Sequence, residues 1–429
     1  MRVTVLSVGS RGDVHPLIGF ARALAAAGHE VRFAAFPKFE RDVAANELEF
    51  APLAEGRLGR GTRADAAEDE DGAGRGGRRG AGRGRGVPMP LRFLQDSRSV
   101  GRERLADALG AGEGADALVA NELATLLAWQ VAEQRGVPLV RVRYSPPPAI
   151  AGRPVAGAAR QLGWLAVRPW LGSGRRELGL PALPLREPLG RLDARRTLEL
   201  YAYSPAVGPE PARKGPWTHV TGYWFLDGAL DPEPPRRLLE FLADGAAPVC
   251  IGFGSMLDDG AASTARATRE LVLEALERAG QRGVLLGGLS AAAASELPAS
   301  AIAVDSVAHD RLFERCAAVV HHGGAGTVAA ALRAGVPSVI VPHMIDQHGW
   351  GRRVHQLGAA PAPIPRRKLS AERLAEAISA AAGDASMRER AGELAQRIRE
   401  EDGISRAVEV FERHMGRAVA HAATEVINS

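Results

Sequence analysis

The chain has 429 residues, 46% hydrophobic and 24% charged, with a formal net charge of +4. That length exceeds one ordinary core and predicts two domains of a soluble globular protein. So small a net charge argues against a general polyanion binder, two cysteines cannot build a thiolate zinc site, and no run approaches the ~18 apolar residues of a membrane span.

The opening "MRVTVLSVGS" lacks a long apolar core and reads as a first strand rather than a signal peptide, which predicts a cytoplasmic protein. A glycine-rich turn, "GSRGDVH", follows. A helix comes next over "PLIGFARALAAAG", with Leu17, Phe20, Ala21 and Leu24 at helical spacing, Pro16 in its first turn and Gly28 at its C-terminus. "EVRFAAF" is a second strand. Strand, helix, strand is a βαβ opening and implies a parallel sheet. The alternation resumes in "DALVAN", "ELATLLAWQVAEQRG" and "VPLVRVRY".

Residues 54–86 are built from Gly, Arg, Ala and acids, which cannot bury enough surface to offset ordering entropy and so predict a mobile loop. The segment lacks the interleaved aromatics of a nucleic-acid arm, although a basic contact with an anionic membrane remains compatible with it. Its carboxylate-x-carboxylate triplet, Asp69 to Asp71, has no strand to deliver it to a metal. A Pro/Trp/Gly-rich stretch near 205–222 reads as the inter-domain linker. Domains are therefore expected over 1–210 and 220–405, with a closing helical segment, roughly 386–420, able to pack back on the first.

The second half restarts the pattern. "PVCIGFGS" is a strand meeting a turn, "ASTARATRELVLEALERAG" a helix, and "RGVLLGG", "SAIAVDSV" and "CAAVVHH" strands. "GTVAAALRAG" is a helix, "PSVIVP" a strand and "DQHGWGRRVHQLG" a helix. Cys250 and Cys316 fall in apolar runs and read as two buried thiols. Ligands of open parallel sheets bind beyond the carboxyl ends of the strands. Four such ends stand out: Gly254-Ser255, Ser306 to His309, His321 to Thr327, and His343 to Gln347. In the third, Gly323, Gly324 and Gly326 let the backbone approach a ligand, Ala325 and Thr327 open a helix whose free N–H groups attract an anion, and His322 adds a donor. A plain tight turn would also need the glycines; the flanking histidines and Thr327 favour the anion. Asp346 beside Gln347 can accept from and donate to vicinal hydroxyls, and an ordinary helix N-cap also explains the aspartate.

Taken in order, "GSRGDVHPLIGFARALAAAGHEV", "GVP" at 136–138, "HVTGYW", "IGFGSM", the block from Val304 to Gly358 and "PIPRRKLSAERLAEAI" resemble the nucleotide-sugar glycosyltransferases of GT-B architecture. The resemblance is to the UDP-glucosyl and UDP-glucuronosyl transferase superfamily, nearest in character to sterol glucosyltransferases and actinobacterial natural-product transferases. It implies two Rossmann-like α/β domains facing across a cleft, acceptor in front and nucleotide sugar behind. It also implies inversion without a metal or other cofactor. His322 and the backbone of Gly324 to Thr327 would then meet the diphosphate, as would Ser255 and Gly254 from the facing turn. Val307 and its neighbours would hold the base, and Asp346 with Gln347 the sugar. Ser10, Arg11 and Gly12 would line the acceptor side.

Relatives with a Gly-His-x-x-Pro turn use that histidine as base. Here Asp13 fills its slot, His15 falls two places later, and Asn121 stands where those relatives carry an orienting aspartate. Asp13 is therefore the expected base, and His15 an acceptor ligand, a helper of Asp13, or a helix-start residue without a role. The donor would be UDP-glucose or a dTDP-deoxysugar, and Trp164 and Trp170 suggest a hydrophobic acceptor, although helical packing explains them equally. Trp350 stands where many plant-type relatives have asparagine. An epimerase of the same architecture and a non-catalytic donor-binding partner protein are the competing classes.

Overall fold

The computed structural model describes residues 1–55, 89–146, 154–194, 197–211, 215–226, 233–254, 262–290, 297–343 and 345–427. Outside them lie Ser255, the Asp69–Asp71 triplet and all but the first two residues of the Gly/Arg segment.

Two parallel sheets form the framework. The first takes β1 (Arg2–Leu6), β2 (Glu30–Ala35), β3 (Glu49–Pro52), β4 (Ala117–Asn121), β5 (Leu139–Arg143), β6 (Glu199–Tyr201) and β7 (Thr218–Val220) in the order β3-β2-β1-β4-β5-β6-β7. Val3 stands opposite Val31 on one side and Ala117 on the other. The second takes β8 (Val249–Gly252), β9 (Gly283–Leu286), β10 (Ala301–Val304), β11 (Ala318–His321) and β12 (Ser338–Ile340) in the order β10-β9-β8-β11-β12. His321 sits between Gly252 and Ile340. Strands such as β4, buried along its whole length, run as continuous apolar segments because helices cover both faces. In each sheet the strand order reverses beside the first strand, between β1 and β4 and between β8 and β11. The loops leaving these four strands flank the two crevices where such sheets take ligands.

The stretch 205–222 ends in β7, which pairs with β6 at the edge of the first sheet. The crossing to the second sheet thus falls after residue 220, later than the proline and glycine content suggested. The closing helical segment is two helices, Ala385–Arg399 and Gly403–Ile427. The earlier one buries Ala391, Leu394 and Ile398 in the cluster around Trp350. The later one lays Phe411 edge-on against Phe20, with ring centroids 6.2 Å apart, and joins the core of the first sheet. The break between them permits a tight crossing of the two inter-domain connections: a Cβ on Gly403 would stand 2.4 Å from the Tyr223 carbonyl oxygen. Ser204 Oγ donates to Glu401 there at 2.6 Å.

Cys250 and Cys316 are both buried and free. Among the described residues no helix is long and apolar enough to cross a membrane, and no cluster of metal-ligating side chains occurs.

Candidate active site

The helix after β1 spans Arg11–Ala26, so it starts five residues before Pro16. Ser10 and Asp13 explain the early start. Asp13 Oδ2 accepts from the Ser10 backbone N–H at 2.8 Å and from Ser10 Oγ at 2.9 Å, and the Ser10 side chain faces the Asp13 backbone N–H in return, the capping box that stabilises a helix N-terminus. Pro16 then falls in the second turn and has no N–H to give the Gly12 carbonyl, which is left without its helical partner. Gly9 makes the close turn possible. Its φ is +134°, and a Cβ there would lie 2.4 Å from Asp13 Oδ2. The Asp13 carbonyl is pinned by Tyr144 Oη at 2.8 Å and Ser7 Oγ at 3.2 Å. Burial raises the Asp13 carboxyl above its ordinary range, the two Ser10 bonds oppose that rise, and the Asp346 charge adds to it. The carboxylate is therefore a stronger base than a solvated aspartate.

His15 points elsewhere. Its Nε2 lies 2.9 Å from Asp42 Oδ2, on the helix Glu40–Ala44, so its bonded partner is Asp42 rather than Asp13. Asn121, fully buried at the end of β4, clamps the back of the turn. Its Nδ2 donates to the Val8 carbonyl at 2.9 Å and to Ser7 Oγ at 3.2 Å, while its Oδ1 accepts from Ala124 N at 3.0 Å and Val8 N at 3.4 Å. An amide both donates and accepts, which the Val8 peptide requires; a carboxylate could only accept.

The second sheet presents the other half. The helix Ala325–Arg333 begins at the end of β11 with Gly324 as its N-cap. A Cβ on Gly324 would lie 2.4 Å from His322 Nε2, and one on Gly254 would lie 3.2 Å from His322 Cε1, so two bare glycines cradle that imidazole. Gly323, at φ +88°, passes so close to Ile340 that a Cβ would stand 2.8 Å from its Cγ2. Burial pushes His322 down to about 4, so at pH 7 it is a neutral ring that can donate a hydrogen bond but carries no positive charge. His321, with its Nδ1 accepting from Gly323 N at 3.1 Å, is fully buried and held at about 3, chiefly by burial. The two halves meet at their tips: a Cβ on Gly326 would lie 3.6 Å from the Gly12 Cα. Ser10, Arg11, Gly12 and Asp13 thus face the helix opened by Ala325, Gly326 and Thr327.

Asp346 is exposed, whereas Gln347 is buried and its Oε1 accepts from His343 N at 2.8 Å. Val307 is buried beside Leu312 and Phe313, whereas Asp305 and Ser306 just before it are exposed. Trp350 is packed edge-on against Tyr203 at 5.8 Å, inside the protein, and Trp164 stands edge-on to Trp129 with its Nε1 donating to the Pro184 carbonyl. Both indoles are core residues. The Trp170 side chain lies outside the described residues.

Glu122, the residue after β4, escaped the reading of the sequence. Applying the strand-end rule to the first sheet as well as the second would have found it. Partial desolvation pushes its carboxyl up to about 7 against the pull of Arg143, and the charges of Asp13, Asp346 and Glu199 add to the rise. The residue is exposed, with a third of its side-chain surface open to solvent.

Residues 3–150 match the glycosyltransferase family 28 N-terminal domain, and residues 284–406 match the erythromycin biosynthesis protein CIII-like C-terminal domain. A sterol 3-beta-glucosyltransferase of Arabidopsis thaliana is 34% identical over 97% of this chain and 68% of its own length. One of Emericella nidulans is 31% identical over 97% of this chain, which spans only 30% of that longer protein. Among solved structures, the glycotransferase of kitacinnamycin superposes with a TM-score of 0.71 at 21% identity, covering 96% of this chain and 99% of that one. The glycosyltransferase VinC in complex with dTDP gives 0.65 at 22% identity, covering 97% and 100%.

Proposed function

The chain belongs to the glycosyltransferase family that includes the sterol 3-beta-glucosyltransferases, and on that premise we propose that it transfers a hexose, with inversion and without a metal, from a nucleotide diphosphate sugar to a hydroxyl of a hydrophobic small molecule. The observation that carries this reading is the meeting of the Gly12 and Gly326 turns. A base on one turn thereby stands close to the helix tip that would hold the diphosphate on the other.

An alcohol is a poor nucleophile near neutral pH, so its proton must be taken as it attacks the anomeric carbon. Asp13 takes it late, when the attacking oxygen has become acidic, and its burial-raised basicity helps. The departing diphosphate gains charge as the glycosidic bond breaks. The N–H groups of the helix tip and the neutral His322 stabilise that charge in a fixed arrangement that needs no reorganisation. Asp346 hydrogen-bonds the sugar hydroxyls, and Gln347 orients the His343 backbone beside it. The relatives' names favour UDP-glucose, and the dTDP held by VinC makes a thymidine nucleotide the second candidate.

Thermal-shift screening of UDP, dTDP and their sugars tests the reading. A ligand at a hundred times its Kd adds ~2.7 kcal/mol to the folded state and raises the melting temperature visibly. No shift with any nucleoside diphosphate at millimolar concentration would refute it.

A further inference from the structure

Glu122 takes no part in the chemistry above, yet it occupies the crevice-side end of β4, the strand that meets β1 where the order of the first sheet reverses. Its backbone is fixed by its neighbour, because Asn121 makes four hydrogen bonds and is fully buried. Its side chain is steered but not consumed. Arg143 Nη1 stands 3.7 Å from Glu122 Oε1, and Ser145 Oγ donates to the same oxygen at 3.5 Å. Arg143 itself is committed to Glu199 through its Nε, and Tyr201 Oη occupies Glu199 Oε2 at 3.1 Å. A carboxylate can accept about four hydrogen bonds. Two long contacts on a single oxygen leave most of that capacity open to the surface, and the charges of Asp13, Asp346 and Glu199 lie near enough to add negative potential.

We propose that Glu122 is an acceptor-binding carboxylate, which grips a second hydrogen-bond donor, hydroxyl or ammonium, on the molecule whose reacting hydroxyl faces Asp13. The inference rests on the proposed glycosyl transfer and on the acceptor standing on the Asp13 side. Above its raised value, where Glu122 is ionised, a ligand group opposite it must donate, since an ionised carboxylate only accepts. Glu122 thereby selects polyhydroxylated or amino-bearing acceptors over those with a single hydroxyl, and the cluster of Arg143, Glu199 and Tyr201 holds it in register.

Two coumarins that differ by one hydroxyl test this. Transfer from UDP-glucose and dTDP-glucose to 7-hydroxycoumarin and 6,7-dihydroxycoumarin is followed in wild type, Glu122→Ala and Glu122→Gln, with Kd values for UDP and dTDP measured in parallel. Wild type should favour the diol at least tenfold in kcat/KM, chiefly through KM. The alanine variant should lose that preference while its nucleotide Kd stays within twofold, and glutamine, which still accepts, should keep part of it. An equal preference in wild type and Glu122→Ala overturns the proposal, as does transfer to neither coumarin by a wild type that binds nucleotide. Absence of nucleotide binding in wild type overturns the underlying reading instead.

Discussion

Replacing Asp13 with asparagine separates its chemistry from its structural work. The variant Oδ1 can still accept the Ser10 backbone N–H, now 2.8 Å from the carboxylate, so the helix start survives. The same oxygen can also keep the Ser10 Oγ bond, so the loss is the charge assistance on these two bonds, about 0.5–1 kcal/mol at this partly open site. A positioned base contributes about 10²–10⁴-fold to rate, which at about 1.36 kcal/mol per decade is about 3–5 kcal/mol of barrier. The transfer rate should thus fall at least a hundredfold while the melting temperature moves by only a few degrees and nucleotide Kd stays within twofold. Initial rates of sugar transfer, calorimetric nucleotide titration and thermal unfolding read the three quantities. A variant that keeps more than a tenth of the wild-type rate would refute Asp13 as the base. The pH profile gives a further reading. The base form is lost as pH falls through the raised carboxyl value, so the acid limb should lie above the ordinary aspartate range. Ser10→Ala removes a bond that favours the carboxylate and should move that limb upward.

Asn121→Asp would strip the donated bonds to Val8 and Ser7 and bury a charge, a cost of about 2–4 kcal/mol; the midpoint of thermal unfolding should drop by at least 5 °C, and a change under 2 °C would contradict the clamp. Gly324→Ala keeps an allowed backbone, since φ is −62°, but its methyl group would displace His322 from the helix tip. Calorimetry should give a tenfold weaker nucleoside diphosphate affinity in a protein that melts normally, and unchanged affinity would remove His322 from the anion site. His321 is fully buried and depressed to about 3, against ~6.5 for an unfolded histidine. As pH falls below 6.5 the unfolded chain takes up a proton that the folded chain refuses, so this group withdraws about 1.4 kcal/mol of stability per pH unit down to its folded value. Urea midpoints at pH 7, 6 and 5 should decline more steeply in wild type than in His321→Asn, and parallel slopes would sink the assignment.

Much of the fold was legible from local pattern. The β1 and β11 turns declare themselves because glycine, a short polar cap and an apolar helical repeat are properties of neighbouring residues. The same locality made Asp13, His322 and the 323–327 turn readable as candidate site residues. The helix after β1 was misjudged at its start because Pro16 drew the boundary, while the Ser10–Asp13 reciprocity that sets it lies three residues apart and was visible. The division of the closing helix and the strand β7 hidden in the expected linker depend on Gly222, Tyr223 and Gly403 meeting across nearly two hundred residues.

From its sequence alone the chain settles its alternation of strand and helix, its family, and the glycine-lined turns that carry its candidate site residues. Only the folded structure decides that His15 turns to Asp42, that Asn121 staples a backbone instead of orienting a base, and that Trp350 lies in the core against Tyr203. It also decides that Glu122, beyond β4, comes within electrostatic reach of Asp13 and Asp346. The physical reason is range. Caps, turns and periodicity act over a few residues, whereas burial and the pairing of charges depend on which distant segments the sheets bring together.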